Sequence, residues 1–142
     1  MDHNRLPDNL SMPACTIIPV LEYENVAAAI TWFINTFGFT ERWRADNHRA
    51  QLAFGGGAIV IREPLSPGKP ISRTSVLVRV KDVTAHYERA HKQGAEILRP
   101  PSNFPYGERQ YVVKDLGGHI WTFSQTIANV APEEWGAISA DL

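Results

Sequence analysis

The sequence predicts an α+β fold: two βαβββ repeats forming a curved mixed sheet, with a concave cleft on one side and helices on the convex face. Three observations predict it. An apolar run leading to a polar cap occurs twice, at Asn25-Val26 and at Asp82-Val83. Each cap opens a helix-like stretch that stops at a glycine, Gly38 and Gly94. Each half later carries a Gly-Gly step followed by an apolar strand, Gly56-Gly57-Ala58-Ile59-Val60-Ile61 and Gly117-Gly118-His119-Ile120-Trp121-Thr122-Phe123. A unit repeated in this way sets an architecture, and facing sheet halves make a cleft.

Residues 1–14 carry Pro7 and Pro13 and have no period, so they read as a mobile or loosely docked arm. The first module spans 15–63. Thr16 to Tyr23 is β-branched and apolar and reads as a strand. Asn25 is a helix cap, and Val26, Ile30, Phe33, Ile34 and Phe37 share one helical face. Phe39 to Ala45 reads as a strand, Asp46-Asn47 as a turn and His48 to Phe54 as the next strand. Gly55-Gly56-Gly57 turns the chain into Ala58–Arg62, an antiparallel ribbon.

A linker at 64–73 follows, where Pro64, Pro67 and Pro70 exclude a helix or central strand. The second module, 74–126, repeats the order. Ser75–Val80 is a strand and Asp82 a cap; Val83, Tyr87 and Ala90 form the helical stripe. Glu96–Arg99 reads as a short strand stopped by Pro100-Pro101, and Ser102 to Tyr106 as a loop. Glu108–Lys114 and His119–Gln125 are the last strands, joined by a turn at 115–118. The tail, 127–142, reads as short helix or coil.

The bulk numbers exclude several classes. A length of 142 residues fits one domain, and 44% hydrophobic with 20% charged residues is ordinary for a globular chain. A net charge of -1 offers no basic field to nucleic acid or to a membrane surface. No apolar run is long enough to span a bilayer, and the first residues lack a signal-peptide pattern. Cys15 is the single cysteine, which fits a small apolar strand residue and a reducing cytoplasm.

The residues Pro19-Val20-Leu21-Glu22-Tyr23-Glu24-Asn25-Val26, Phe37-Gly38-Phe39, Val80-Lys81-Asp82-Val83 and Gly94-Ala95 recur in a known order. With them stand Tyr106-Gly107-Glu108-Arg109 and Asp115-Leu116-Gly117-Gly118-His119-Ile120-Trp121-Thr122-Phe123. Over residues 16–126 the chain resembles the vicinal oxygen chelate superfamily, which includes glyoxalase I, bleomycin resistance proteins and extradiol dioxygenases. Leu116 stands where that ending usually has proline. The resemblance implies the fold and does not fix a reaction.

In metal-using members of that superfamily the first and last strands of each repeat supply His, Glu or Gln ligands. Counting from the caps and the glycine steps places Ile18, Ile61, Ser75 and Thr122 at those positions. Two of these cannot ligate, and hydroxyls are poor ligands for such ions. Glu22, His48, Glu63 and His119 do not fall at equivalent places. No metal and no cofactor is therefore expected. His86 reads as a solvated helix residue and His119 as a polar turn residue.

The resemblance implies a cavity on the concave face. Alternation, phased on those four positions, selects Val20 and Glu22, Ile59 and Ile61, Leu77 and Arg79, and Ile120 and Ser124 as lining. Trp43, His48, Leu52, Phe54, Tyr106, Arg109 and Tyr111 are placed around the mouth, with Trp43 to stack on a planar ligand and Arg109 to meet an acidic group. Trp121 and Phe123 fall on the opposite phase, under the helices. The expected ligand-binding set is thus Trp43, His48, Leu52, Phe54, Arg109, Tyr111, Glu22 and Thr122.

The expected function is metal-free binding of a planar, partly apolar drug or metabolite in a homodimer cleft, as in the bleomycin resistance branch. The alternative is a lyase, isomerase or dioxygenase of the same superfamily. A metal-free enzyme using Glu22, His48 or Arg109 ranks third, because no paired constellation is visible. The triple glycine at 55–57 lacks the Lys and Ser/Thr of a phosphate loop.

Overall fold

A computed structural model describes residues 6–66, 68, 71 and 73–140. Residues 1–5 of the arm, Pro67, Lys69, Pro70 and Ser72 of the linker, and the last two of the tail lie outside the described residues. The chain divides into two units, Met1–Ser72 and Arg73–Leu142, each holding one four-stranded mixed sheet.

In the first unit the order is β1 (Val20–Glu22), α1 (Val26–Trp32), a π-helical turn (Phe33–Phe37), β2 (Thr40–Ala45), β3 (Arg49–Phe54) and β4 (Gly57–Arg62). The sheet order is β1-β4-β3-β2, with β1 parallel to β4 and the rest antiparallel. β1 is shorter than the apolar run around it. Pro19 has no N–H to give a ladder, although its carbonyl still accepts from Val60 at 2.9 Å. Asn25 caps α1 by accepting from Ala28 N at 2.9 Å. Gly38 closes the helix in the left-handed region, at φ 82°. The predicted stripe buries Val26, Ile30, Phe33 and Phe37. Phe33 meets Tyr23, Phe37 and Phe39 in T-shaped contacts with ring centroids 5.2–5.8 Å apart.

The second unit runs β5 (Ser75–Arg79), α2 (Val83–Lys92), β6 (Glu96–Phe104), β7 (Glu108–Lys114) and β8 (Ile120–Thr126), with sheet order β5-β8-β7-β6. Asp82 caps α2 by accepting from Ala85 N at 3.0 Å. β6 corrects the sequence reading: it passes through Pro100-Pro101 and takes in Ser102–Phe104 of the segment read as a loop, leaving Pro105 and Tyr106 in the turn. It is an edge strand with register shifts between Ile97 and Arg99 and between Arg99 and Ser102. There the missing proline N–H groups need not break a ladder.

Trp121 and Phe123 are fully buried on the helix face, as their phase predicted. His86 is not solvated as expected. Its ring lies 3.9 Å from that of Phe123, centroid to centroid, and its Nδ1 is 2.6 Å from the Tyr111 hydroxyl. Past β8 the chain crosses Gly107. Ile127 N and Ala128 N donate to the Gly107 carbonyl at 2.8 and 3.3 Å. A Cβ there would stand 2.3 Å from Ala128 O, at a φ of +83°. A 3-10 turn at Pro132–Trp135 then lays Trp135 edge-on to Tyr106 at 5.5 Å. Among the described residues no helix is long and apolar enough to cross a membrane.

Candidate functional site

Each sheet has one face under its helix and one face away from it, called here the open face. Strand pairing decides which residue belongs to which. In the first unit Leu21 pairs with Ile61, Ile61 with Ala50, and Leu52 with Ile59. All five are buried, on the helix face. The open face carries Val20 and Glu22, Val60 and Arg62, Arg49 and Gln51, and Trp43. Ile59 and Ile61 therefore stand one residue out of phase with their expected places. β4 is apolar on both sides, so its pattern gives no alternation to read.

The expected binding residues divide accordingly. Glu22, Trp43 and Thr122 stand on open faces. Leu52 is fully buried under α1, and Phe54 packs on Phe39 with centroids 5.0 Å apart. Tyr111 is fully buried between Tyr87 and Phe123, and burial pushes its phenol well above the ordinary tyrosine range. Arg109 donates to Thr84 on α2 at 3.4 Å and to Asn103 at 3.0 Å. These four were expected at a cavity mouth; the structure gives them to the helix side, because one step along a strand reverses the face. His48 sits in the β2–β3 turn, with Nδ1 2.9 Å from Glu63 Oε2. That carboxylate raises its pKa above the usual histidine value, by hydrogen bond and then by charge.

The open face of the first unit is a row of donors. A bulge between Glu41 and Trp43 sets Arg42 and Trp43 together opposite Gln51. Arg42 bonds Gln51 Oε1 through Nη1 and donates to Leu10 O through Nη2 at 3.2 Å. Trp43 Nε1 and Gln51 Nε2 donate to Ser11 O at 3.0 and 3.5 Å. The arm, read as mobile or loosely docked, thus lies on this face at Leu10 and Ser11. Beyond it Arg62 approaches Glu22 at 4.0 Å. Its Nε is buried and has no hydrogen-bond partner among the described residues.

The open face of the second unit is a relay. The Tyr106 hydroxyl donates to Gln110 Oε1 at 3.0 Å, Gln110 Nε2 to Ser124 Oγ at 3.0 Å, and Ser124 Oγ to Glu108 Oε1 at 2.7 Å. Ser124 is buried and every partner is satisfied in turn. Arg79 donates to Thr126 at 3.0 Å beside it. Leu77 and Ile120 are the exposed apolar groups of this face. Gln110 and Glu108 were not singled out as lining by the sequence reading; fixing the phase on Ser124 and pairing β7 to β8 finds both.

The conspicuous Asp115-to-Phe123 segment is structural. Asp115 Oδ1 accepts from Gly117 N and His119 N at 2.9 and 3.0 Å, and Oδ2 from Trp121 Nε1 at 2.9 Å. His119 is fully buried, with Nδ1 accepting from Thr74 N at 2.8 Å.

A divalent ion does not fit these groups. Pairing makes Val60, not Ile61, the counterpart of Thr122, since their partners Val20 and Leu77 each precede a cap by the same interval. Open-face positions of the first and last strands then offer one carboxylate, Glu22, next to a guanidinium. Among the described residues no three His, Cys, Asp or Glu side chains are grouped to hold one ion.

Comparison with known proteins agrees with this fold. An uncharacterized protein of Mycobacterium bovis is 26% identical over 131 residues, 82% of this chain and 86% of that one. TioX from Micromonospora sp. ML1 is 32% identical with a TM-score of 0.70, covering 78% of this chain and 99% of TioX. TnmS3, an antibiotic binding protein from Streptomyces sp. CB03234, has a TM-score of 0.65 at 22% identity, over 81% of this chain and 99% of its own. A lactoylglutathione lyase from Agrobacterium tumefaciens matches at 0.66 and 12% identity, over 80% of this chain and 94% of the lyase. The last two likenesses are of fold alone. The Glyoxalase/Bleomycin resistance protein/Dioxygenase superfamily model matches residues 20–123, and the chain belongs to that superfamily.

Proposed function

We propose that the protein is a metal-free small-molecule binder, which sequesters a planar, partly apolar drug or metabolite. The observation that carries this reading is the makeup of each open face: a few hydrogen-bonding groups among apolar residues, with no group of ion donors among the described residues. Trp43 supplies a planar surface with one polar edge, and Arg62 a cation for an acidic substituent. The antibiotic binding of TnmS3 is the activity among its structural likenesses that this reading extends to the chain.

The working form is a homodimer. Val20, Leu77 and Ile120 are exposed on the open faces, and a symmetric second copy is the commonest cover for such groups. Light scattering at micromolar concentration should give twice the chain mass. A cytoplasmic setting fits a chain whose one cysteine, Cys15, is free.

The deciding experiment is a thermal-shift screen of planar antibiotics and metabolites, followed by titration of the best hit. Trp43→Ala should weaken that hit by about tenfold, from lost stacking and contact area, with the melting temperature little changed. Equal affinity in both proteins removes Trp43 from the site. One tightly held zinc, nickel, iron or manganese per chain after dialysis would overturn the metal-free reading.

A further inference from the structure

We propose that the open face of the first sheet is a site for ligands bearing carbonyl or carboxylate oxygens, and that the N-terminal arm occupies it as a competitor the ligand must displace. The proposal rests on the small-molecule reading and adds its chemistry and its regulation.

Three side chains from two neighbouring strands converge on two consecutive carbonyls. Arg42 reaches Leu10 O at 3.2 Å, and Trp43 Nε1 and Gln51 Nε2 reach Ser11 O at 3.0 and 3.5 Å. The acceptors are backbone oxygens, so this face recognises a pair of carbonyls and not a particular side chain. Any ligand presenting such oxygens offers the same contact.

A turn in the arm presents those oxygens. Asn9 turns the chain by accepting from Ser11 N through Oδ1 at 3.0 Å and from Met12 N through its carbonyl at 3.0 Å. Leu10 is 97% exposed, so its side chain contributes no burial to the docking. The seat is held by hydrogen bonds exchanged against water, which is a weak hold. Further along the face, two residues from Val60 on β4, Arg62 keeps a buried Nε without a partner among the described residues. A carboxylate-bearing ligand gains there a contact that the arm leaves unused.

The test uses a variant lacking residues 1–14 and the acetylated, amidated peptide of residues 6–14. The peptide should bind the shortened chain and return the Trp43 indole N–H resonance to its position in the full chain. That resonance is assigned by its loss in Trp43→Phe. No binding at millimolar peptide overturns the docking. N-acetyl-leucinamide, a minimal dicarbonyl, should bind the shortened chain about fivefold or more tightly than the full chain, since a site occupied most of the time binds more weakly in proportion. Equal affinity overturns the competition, and binding to neither chain overturns the acceptor site.

A second variant keeps the full chain in case the shortened one does not fold. Trp43→Phe with Gln51→Leu should speed chymotryptic cleavage after Leu10 several-fold, and an unchanged rate overturns the proposal. These outcomes separate the two readings. A failed antibiotic screen with a successful peptide titration removes the proposed ligand class and leaves the arm site standing. The reverse result does the opposite.

Discussion

The two units share a blueprint and spend their open faces differently. Aligned on their caps, Glu22, Arg62 and Arg49 of the first sheet correspond to Arg79, Ser124 and Gln110 of the second. Where the first has two guanidiniums and a loosely paired carboxylate, the second has one guanidinium, Arg79, bonded to Thr126, beside a relay of neutral groups ending at Glu108. The turns differ in the same sense. Two glycines, Gly55 and Gly56, suffice between β3 and β4, while between β7 and β8 a buried aspartate satisfies three N–H groups. The second unit invests in satisfied internal bonds; the first leaves donors available and lends them to a segment of its own chain.

That contrast breaks most severely at the turns. Asp115→Ala should lower stability by about 3 kcal/mol or more, because it strands three donors in a buried place. The matching change in the first unit, Gly56→Ala, should stay within about 0.5 kcal/mol, since a Cβ there meets nothing within 4 Å. Urea unfolding of both variants measures the difference. Next in size is Gly107→Ala, at about 2 kcal/mol for the clash and the left-handed backbone. It should also release the Trp135 tail, seen as a change in indole fluorescence.

The open faces give a finer comparison. Ser124→Ala should cost about 1–2 kcal/mol by opening the relay. Arg62→Met, at the corresponding position, should stay within about 1 kcal/mol in either direction, because the wild-type Nε is already unsatisfied. Smallest is the surface pair in the first unit. Glu63→Gln should return the His48 pKa toward the ordinary value, read by NMR titration. The folded pKa is raised, so the pair's small stabilisation is complete below the unfolded value of about 6.5. It is lost as pH rises through the higher folded value.

Much of the fold was legible in residues with one physical meaning. Asn25 and Asp82 cap, Gly38 stops a helix, and Trp121 and Phe123 fall under α2. The site was less legible, for local reasons. The first sheet's phase was hidden by the wholly apolar Ala58–Ile61 and by the bulge at Arg42, so Ile59 and Ile61 were assigned the wrong face, and Leu52 and Phe54, placed at the mouth, pack on the helix side. Tyr111 and Arg109 look like binding residues by type, yet pairing puts them against α2. The docking of Leu10 and Ser11 leaves no trace in composition or period, because it uses only their carbonyls.

The passage of β6 through Pro100-Pro101 has a consequence for assembly. An edge strand with a regular row of N–H groups is a template on which another chain can polymerise. Two adjacent prolines and two register shifts deny that row to anything approaching β6. Strand-by-strand growth of the second sheet, whether into an ordered oligomer or into fibrillar aggregate, is thereby directed to its other margin, the five residues of β5.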